Sequence, residues 1–344
     1  MPIIDLRSDT VTRPSKAMLT YMLQADLGDD VLGDDPTVKK LEAIIAEMAG
    51  TEAAIFAPSG TQSNLIGIMA HCQRGDEYIV GQTAHTYMWE GGGAAVLGSI
   101  QPQPLDFEQN GTLSLDKVNN VIKPFDDHHP RTKLLCLENT TAGKVLPLEY
   151  LAQVQSFCAT KKLATHLDGA RVFNAAVKLQ VPLNSISKHF DSLSICLSKG
   201  LGAPIGSLLC GNKDFIQSAR RWRKVVGGSM RQVGVIAAAG IYALEHNIDR
   251  LADDHANALY FAHELAKISE IDVDVNSLQT NMFFIKIKKQ EEELRTYLAE
   301  KEIIILSSKY SKNGLTRIVT HLDVSLADIQ IVVATIKKFY AGKQ

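Results

Sequence analysis

The sequence carries almost no excess of charge of either sign. Lys plus Arg number 36 and Asp plus Glu number 38, which gives a formal net charge of -2 at pH 7. A chain with this balance has no general electrostatic attraction to nucleic acid or to an anionic membrane. Its longest apolar stretch, residues 233–244, is too short to cross a bilayer, and its opening, MPIIDLRSDTVTRP, lacks the basic end and apolar centre of a signal peptide. We expect a soluble, cytoplasmic protein whose partners are small molecules or copies of itself.

The sequence also lacks the motifs of common metal and nucleotide sites. Its five cysteines are odd in number and form no C-x-x-C pair, which argues against a disulfide framework and against a thiolate zinc site. The ten histidines include no H-E-x-x-H. The glycine run in EGGGAAVLG has neither the G-x-G-x-x-G spacing nor a strand before it, and no Walker sequence occurs. We therefore predict no metal, no dinucleotide site and buried, reduced thiols.

Apolar residues are spaced in patterns that alternate between strand and helix. The hydrophobic fraction of 45% is typical of a globular chain. Apolar side chains at positions 38, 41, 44, 45 and 48 predict an amphipathic helix over residues 36–49, which Gly50 ends. Strands are predicted at 53–57, 78–80, 134–137, 164–167, 193–197 and 207–210, with helices at 61–73, 115–122 and 148–160. This alternation predicts an α/β fold with a mostly parallel sheet covered by helices on both faces.

The pattern changes towards the C-terminus. Residues from about 212 to 268 read as helical, and they are followed by predicted strands at 271–275, 282–287, 303–306 and 315–320, with helices at 291–301 and 326–339. These elements predict a smaller α+β domain. We place the large domain at residues 1–250, including the N-terminal segment, and the small domain at residues 251–344.

A small-residue turn, PSGTQSN at residues 58–64, follows a predicted strand and opens a predicted helix. Free backbone N–H groups, hydroxyl groups and the positive end of the helix dipole make such a turn suitable for a phosphate group. The alternative is an ordinary helix cap formed by Ser59 or Thr61.

Two further motifs place charged side chains at predicted strand ends. Asp168, in HLDGAR, lies where an α/β sheet has its ligand crevice, although it could instead pair with Arg171 or cap the next helix. Lys199, in SKGLG, follows another apolar strand and precedes glycine, so it could reach into the same crevice and form a Schiff base. A phosphate cup, a strand-end Asp and a strand-end Lys together indicate a pyridoxal 5'-phosphate pocket.

Many consecutive segments of the chain resemble one family, the low-specificity L-threonine aldolases, which belong to the aspartate-aminotransferase-like class of pyridoxal phosphate enzymes, fold type I. The segments are DLRSDTVTRP, GDDVLGDDPTV, EAAIFAPSGTQSN, VGQTAHTYMWEGGGAAVLG, LENTTAGKV, LDGARVFNA, CLSKGLGAPIGSLL, WRKVVGGSMRQ and RIVTHLD. The resemblance implies cleavage of a β-hydroxy-α-amino acid to glycine and an aldehyde. It also implies a homotetramer with pockets shared between subunits.

The resemblance assigns roles to individual residues. Lys199 matches the Schiff-base lysine and Asp168 the carboxylate that keeps the pyridine nitrogen protonated. The other positions that the resemblance assigns to the cofactor are Arg171 near the phenolate oxygen, Ser59, Gly60 and Thr61 around the phosphate, His85 stacked on the ring, and Arg231 with Lys224 near the phosphate, across a subunit interface.

The resemblance also assigns residues to the substrate. Ser8 and Arg317 match the groups that hold the substrate carboxylate, and His128 matches a histidine near the β-hydroxyl group, where His129 could take its place. The base that removes the hydroxyl proton would be His85, His128 or a water that they orient. Because the shared pocket does not itself choose which bond at Cα breaks, an aminotransferase or a β-eliminating lyase of the same class is the alternative. A scaffold protein that only retains the fold is an alternative from a different class.

Overall fold

The computed structural model describes residues 3–310 and 314–342. Its strands are β1 (Ile4–Asp5), β2 (Ala53–Ala57), β3 (Asp76–Gly81), β4 (Gln101–Leu105), β5 (Arg131–Glu138), β6 (Ala164–Gly169), β7 (Ser192–Cys196), β8 (Ser207–Gly211), β9 (Ile271–Val273), β10 (Met282–Ile287), β11 (Ile303–Ile304) and β12 (Thr316–Val319). Its helices are α1 (Lys16–Leu23), α2 (Pro36–Ala49), α3 (Gly60–His71), α4 (His85–Met88), α5 (Gly93–Val96), α6 (Leu115–Val121), α7 (Leu148–Lys161), α8 (Val172–Leu179), α9 (Asn184–Ser187), α10 (Lys213–Val225), α11 (Gly234–His246), α12 (Leu251–Leu265), α13 (Glu291–Ala299) and α14 (Leu326–Ala341). Short 3-10 turns lie at Asp9–Val11, Val275–Ser277 and Ser308–Tyr310.

The largest sheet has seven strands in the described residues, in the order β2-β8-β7-β6-β5-β3-β4. Strand β8 runs antiparallel to β2 and β7, and the other neighbours are parallel. The predicted α/β fold with a mostly parallel sheet is therefore confirmed. Because β5, β6 and β7 are parallel neighbours, their carboxyl ends meet at one edge of the sheet, where ligand crevices form in α/β folds.

Both faces of this sheet are covered, as expected for strands that are apolar throughout. In β5, Leu135 and Leu137 pack into the largest apolar core, whereas Leu134 and Cys136 pack into a second core on the opposite face. This division follows from the alternation of side chains along a strand. Helices are therefore needed on both sides to remove these side chains from water.

Helix α2 shows how local sequence determines an element. Asp35 precedes it and accepts hydrogen bonds from the backbone N–H groups of Thr37 and Val38, each at 3.0 Å, while Pro36 occupies the first helical turn. Gly50 ends the helix with a φ of 64° in the left-handed region, which glycine adopts without steric cost. The predicted range, 36–49, is confirmed.

Some predicted elements are different in the structure. Strand β4 is absent from the predicted strands. Its Pro102 and Pro104 lack N–H donors and are tolerated because β4 is an edge strand that pairs only with β3. The helical stretch expected over residues 212–268 is divided into α10, α11 and α12.

The second unit forms around a three-stranded antiparallel sheet, β12-β10-β9, with α12, α13 and α14 packed against it. The strand expected at 303–306 is shorter and pairs in parallel with β1 instead of joining this sheet. Ile4 and Leu6 thereby enter the apolar core of the smaller unit. This confirms a smaller C-terminal α+β unit, and the boundary between residues 250 and 251 stays a prediction.

All five cysteines are buried and unpaired, as predicted. Within the described residues, the helices lack the combination of length and apolar composition that a membrane span requires.

Candidate active site

Three titratable side chains lie near the ends of β5, β6 and β7: Glu138, Asp168 and Lys199. Glu138 is the last residue of β5 and lies opposite Asp168 of β6, which in turn lies opposite Ser194 of β7. Lys199 follows β7 after a short turn and lines a small cavity together with Arg171. The charges of Asp168 and Lys199 both act on His85 and on Glu138, so the two side chains lie near the same edge of the sheet.

Asp168 is a buried carboxylate, only 2% exposed. Its Oδ2 accepts a hydrogen bond from the Asn64 side-chain amide at 3.0 Å, and its Oδ1 accepts one from the backbone N–H of Ala170 at 3.0 Å. In the described part of the chain it has no ion-pair partner; the expected alternative of a salt bridge to Arg171 does not occur, since Arg171 pairs with Asp9. A buried carboxylate without a cation is costly, so this position suits a ligand that brings a positive N–H group.

The amine of Lys199 makes no hydrogen bond or ion pair with the residues that the structure describes. Its positive charge nevertheless acts on Asp9, where it contributes to the lowered pKa, and on His85 and Glu138, where it opposes the net rise in pKa that other groups cause. The amine thus lies within a group of titratable side chains and stays available for a ligand. The backbone carbonyl of Lys199 accepts a hydrogen bond from the Thr12 hydroxyl at 2.9 Å, which ties the N-terminal segment to the pocket.

His85 begins α4 and is held by two carboxylates. Its Nδ1 lies 2.8 Å from Oε1 of Glu90, and its backbone N–H donates to Oε2 of Glu138 at 2.8 Å. The hydrogen bond to Glu90 outweighs burial and raises the pKa of His85. Because Nδ1 is engaged by Glu90, Nε2 is the ring nitrogen left for a ligand, and the side chain is 45% exposed.

The carboxylates around His85 have perturbed acidity. Burial, and then the negative charge of Asp168, raise the pKa of Glu138 to about 7. Burial also raises the pKa of Glu90 against the effect of its hydrogen bond to His85. Three carboxylates in one buried region repel each other, so a cationic ligand would relieve this repulsion.

A buried ion pair joins the N-terminal segment to this edge of the sheet. Arg171 donates from Nε to Oδ2 of Asp9 at 2.8 Å and from Nη2 to Oδ1 at 2.5 Å. Burial opposes ionisation of Asp9, but the charge and the hydrogen bonds of Arg171 outweigh burial and lower the pKa of Asp9 to about 2. This bidentate pair holds the guanidinium group of Arg171 in one orientation at the pocket wall.

Arg317 lies beside the N-terminal segment, and its predicted role, like that of Ser8, stays a prediction. Arg317 donates from Nε and Nη2 to the backbone carbonyl of Arg7, at 3.3 and 3.1 Å, directly before Ser8. Burial, and then the nearby charge of Arg171, lower the pKa of Arg317. The guanidinium group is therefore close to the pocket and carries no carboxylate partner in the described residues.

The turn at the start of α3 is compatible with both interpretations of the sequence, a helix cap and a phosphate-binding turn. Ser59 caps the helix by accepting from the backbone N–H of Gln62 at 3.2 Å, which is the structural alternative. Beside it, the hydroxyl of Ser207 is buried without a hydrogen-bond partner among the described residues, 3.6 Å from where a Cβ at Gly60 would lie. An orphaned hydroxyl next to the free N–H groups of Gly60 and Thr61 suits a phosphate group.

The remaining predicted residues lie outside this pocket within one chain. His128 is in an exposed loop, with a side chain 86% exposed, and it contacts Asp126, as His129 also does. Arg231 forms an exposed ion pair with Asp29 at 2.8 Å. Neither residue touches the strand-end cluster in the described part of the chain, so their assigned roles stay predictions, that of Arg231 through a second copy.

Several residues of the pocket were not found from the sequence. Glu90 directly precedes the glycine run, whose spacing fits no nucleotide motif, and Asn64 ends the PSGTQSN segment without an assigned role. Asp9 and Glu138 lie within DLRSDT and LENTT, segments that carried the family resemblance, so their charge was the signal that could have singled them out.

His85, Glu90 and Asp168 also present ligand atoms within 4.8 Å of one another, a spacing that could hold a metal ion. The side-chain amide of Asn64 donates to both carboxylates, however, and His85 donates to Glu90. These hydrogen bonds already use the oxygens that would face an ion. We interpret the cluster as a hydrogen-bonded network, and the absence of a metal stays a prediction.

The sequence and the fold were compared with known proteins. The family described as beta-eliminating lyase matches residues 5–288. The chain is 54% identical to the "Low specificity L-threonine aldolase" of Escherichia coli (strain K12), over 98% of this chain and 100% of that protein. It is 42% identical to the "Probable low-specificity L-threonine aldolase 2" of Arabidopsis thaliana, over 98% of this chain and 97% of that protein.

Solved structures show the same fold. The threonine aldolase of Leishmania major matches with a TM-score of 0.83 and 20% identity, covering 98% of this chain and 99% of that chain. A putative L-allo-threonine aldolase from Listeria monocytogenes EGD-E matches with a TM-score of 0.79 and 23% identity, covering 97% of this chain and 96% of that chain.

The mostly parallel sheet and its structural neighbours define the fold as that of fold type I pyridoxal phosphate enzymes. The matched family and the similar proteins define the enzyme class as a carbon-carbon lyase. Within this class the near full-length similarity is specific. The chain belongs to the family of low-specificity L-threonine aldolases.

Proposed function

We propose that this chain is a pyridoxal 5'-phosphate-dependent aldolase that cleaves L-threonine and L-allo-threonine to glycine and acetaldehyde. The observation that carries the proposal is the buried Asp168 carboxylate, which has no cation partner in the described residues and lies opposite Ser194 of β7, the strand that leads to Lys199. Family membership supports the choice of a β-hydroxy-α-amino acid as the substrate class.

The residues of the pocket fit the cofactor. Asp168 would hold the ring nitrogen and Lys199 would bind the aldehyde carbon, while Arg171 would face the phenolate oxygen. Ser59, Gly60 and Thr61 would hold the phosphate group, to which Arg231 of a second copy would contribute. When bound, pyridoxal phosphate supplies an electron sink for the charge left on Cα after the Cα–Cβ bond breaks.

Ser8 and Arg317 would hold the substrate carboxylate. A guanidinium group can grip a carboxylate with two parallel hydrogen bonds, which fixes its orientation as well as its position. Arg317 is prepared for this role because its present hydrogen bonds go only to the backbone carbonyl of Arg7, so its charge is not neutralised.

His85 would accept the proton of the β-hydroxyl group at Nε2. Its Nδ1 is engaged by Glu90, which holds the ring in place and stabilises the imidazolium form. His128 would lie near the same hydroxyl group only through a second copy, because within one chain its contacts are with Asp126.

We further propose a cytoplasmic homotetramer with active sites shared between subunits. Large apolar side chains exposed on the single chain, such as Leu23, Leu32 and Trp89, support an assembly that covers them. We place the boundary between the large and small domains at residues 250 and 251, with Ile4 and Leu6 packed on the small domain.

The test is cleavage of L-threonine and L-allo-threonine by the holoenzyme, with glycine and acetaldehyde measured as products. A keto acid or an eliminated β-substituent would instead support an aminotransferase or a β-eliminating lyase.

Lys199→Ala should abolish cleavage, with activity falling by several orders of magnitude and the fold retained, because the cluster contains no second lysine. Borohydride reduction of the wild-type holoenzyme, followed by peptide mapping, should place the cofactor label on Lys199. A label on another lysine would contradict the assignment.

A further inference from the structure

A continuous chain of hydrogen bonds runs from Asp168 along one face of the sheet to the end of α3. Asp168 accepts from Asn64 at 3.0 Å, Oδ1 of Asn64 lies 3.2 Å from Nε2 of His166, and Nδ1 of His166 lies 2.8 Å from the Ser192 hydroxyl. The same hydroxyl lies 2.7 Å from Nε2 of His71. None of the assigned roles of the pocket uses His166, Ser192 or His71.

The topology places these groups on one face of the sheet. His166 and Asp168 are two residues apart on β6, so both side chains point towards α3. Ser192 lies directly opposite His166 on the neighbouring strand β7. The helix approaches the imidazole ring at Gly67, where a Cβ would lie 3.0 Å from Cε1 of His166.

The carboxylates of Glu90 and Asp168 can only accept when ionised, and this fixes the donor and the acceptor in each hydrogen bond of the series. The amide nitrogen of Asn64 donates to Glu90 at 2.8 Å as well as to Asp168, so both of its hydrogens are used. The opposite orientation would set the amide oxygen against two carboxylates. The Asn64 oxygen must therefore accept, and Nε2 of His166 must donate.

The protons of Ser192 and His71, at the other end of this series of hydrogen bonds, can be assigned in the same way. With its proton on Nε2, His166 accepts at Nδ1 from the Ser192 hydroxyl, whose oxygen then accepts from Nε2–H of His71. Burial, and then the charge of His71, lower the pKa of His166 to about 3. Burial lowers the pKa of His71 to about 4, against the charge of Asp191. Both rings are therefore neutral at neutral pH, as the chain of hydrogen bonds requires.

We propose that His166 is a positioning residue, which holds the Asn64 amide with both N–H groups on Glu90 and Asp168 and so sets the pocket carboxylates for the cofactor and for His85. The functional part of this inference rests on the proposed function. The tautomer of His166 does not, because it can be read in the protein without cofactor.

Replacing His166 by Gln or by Asn tests which of its two ring nitrogens matters, because each amide side chain reaches the position of a different nitrogen. His166→Gln places an N–H donor near the position of Nε2, whereas His166→Asn reaches only the position of Nδ1 and leaves the Asn64 oxygen without a donor. We expect His166→Asn to lose roughly 10-fold in kcat and in cofactor affinity with KM little changed, because the buried Asn64 oxygen is left without a donor and no longer holds the amide on the two carboxylates. We expect His166→Gln to retain both within about 3-fold of wild type.

Ser192→Ala is a second variant that keeps the imidazole of His166, and it replaces His166→Asn in the test if that variant does not fold. It removes the donor to Nδ1, so the proton of His166 is no longer confined to Nε2. His189→Gln is the matched control, since His189 is hydrogen bonded to Gln155 at 2.9 Å and lies outside this chain of hydrogen bonds. We expect the control to leave kcat and cofactor affinity unchanged.

The decisive spectroscopic readout is the 15N shift of the histidine ring nitrogens in the cofactor-free wild type. We expect a protonated Nε2 and an unprotonated Nδ1 in His166, with no titration between about pH 6 and 9. A proton on Nδ1, or equal kcat and cofactor affinity in His166→Asn and His166→Gln, would overturn the inference. Failure of the wild type to release glycine and aldehyde would overturn the proposed function and leave the tautomer result standing.

Discussion

Replacing Asp9 by Asn removes one charge of the buried pair with Arg171. The carboxylate is inaccessible to solvent and accepts two hydrogen bonds from the guanidinium group, at 2.8 and 2.5 Å. Asn keeps the shape of the side chain but cannot balance the charge of Arg171. The variant therefore tests how strongly this pair stabilises the junction between the N-terminal segment and the sheet edge.

The magnitude follows from the acidity of Asp9. The pair lowers its pKa from 3.8 to about 2, and each unit corresponds to about 1.4 kcal/mol. The stabilisation by ionised Asp9 is thus about 2 to 3 kcal/mol, and removal of one partner from a buried pair costs about 3 to 5 kcal/mol. We expect Asp9→Asn to lower the free energy of unfolding at pH 7 by about 3 kcal/mol.

The effect should depend on pH in a defined direction. Because the folded pKa lies below the unfolded one, the contribution of Asp9 is fully present above pH 3.8 and is lost as the pH falls towards about 2. Urea unfolding of the wild type and the variant, at equal protein concentration, should give free energies that differ at pH 7 and converge in this acidic window.

Glu108→Gln is the matched control, because Glu108 pairs with Lys117 at 2.6 Å on the exposed surface. We expect little change in its free energy of unfolding. A difference between wild type and Asp9→Asn that is absent at pH 7, or that persists unchanged below pH 3, would refute the reasoning.

Three further changes test the pocket and its support. Asp168→Asn should lower kcat while the cofactor still binds, because the amide cannot hold the ring nitrogen protonated; wild-type turnover would remove Asp168 from this role. Arg317→Lys should raise KM and lower kcat together, by up to about 100-fold, with cofactor affinity unchanged, since lysine cannot grip a carboxylate with a planar fork. Loss of cofactor binding with normal cleavage would contradict that assignment. Gly81→Ala should lower the free energy of unfolding by about 1 to 3 kcal/mol in a urea titration, because its Cβ would lie 2.0 Å from Cζ of Phe107; unchanged stability would show that the ring moves freely.

Local sequence determined the elements that depend on capping residues and on the spacing of apolar side chains. Helix α2 has the range that its apolar spacing, Pro36 and Gly50 predict, because capping and periodicity act over a few residues. The α/β class followed from alternating strands and helices in the same way. Asp168 and Lys199 could be assigned to one pocket because the ends of neighbouring parallel strands meet at one edge.

Tertiary structure alone decided the pairings between distant residues. Strand β11 lies beside β1, almost the whole length of the chain away, and β4 forms despite its prolines because it pairs at a sheet edge. No local pattern predicts which edge a short strand will join.

The same limit applies to the candidate site. Asn64 reaches Asp168 across 104 positions and His166 across 102, and Arg171 reaches Asp9 across 162. Each residue type is compatible with several local roles, such as a helix interior, a strand or a cap. The role is chosen only when α3 packs on β6 and the N-terminal segment crosses the sheet edge, because buried polar groups then need the partners that this packing brings within hydrogen-bond distance.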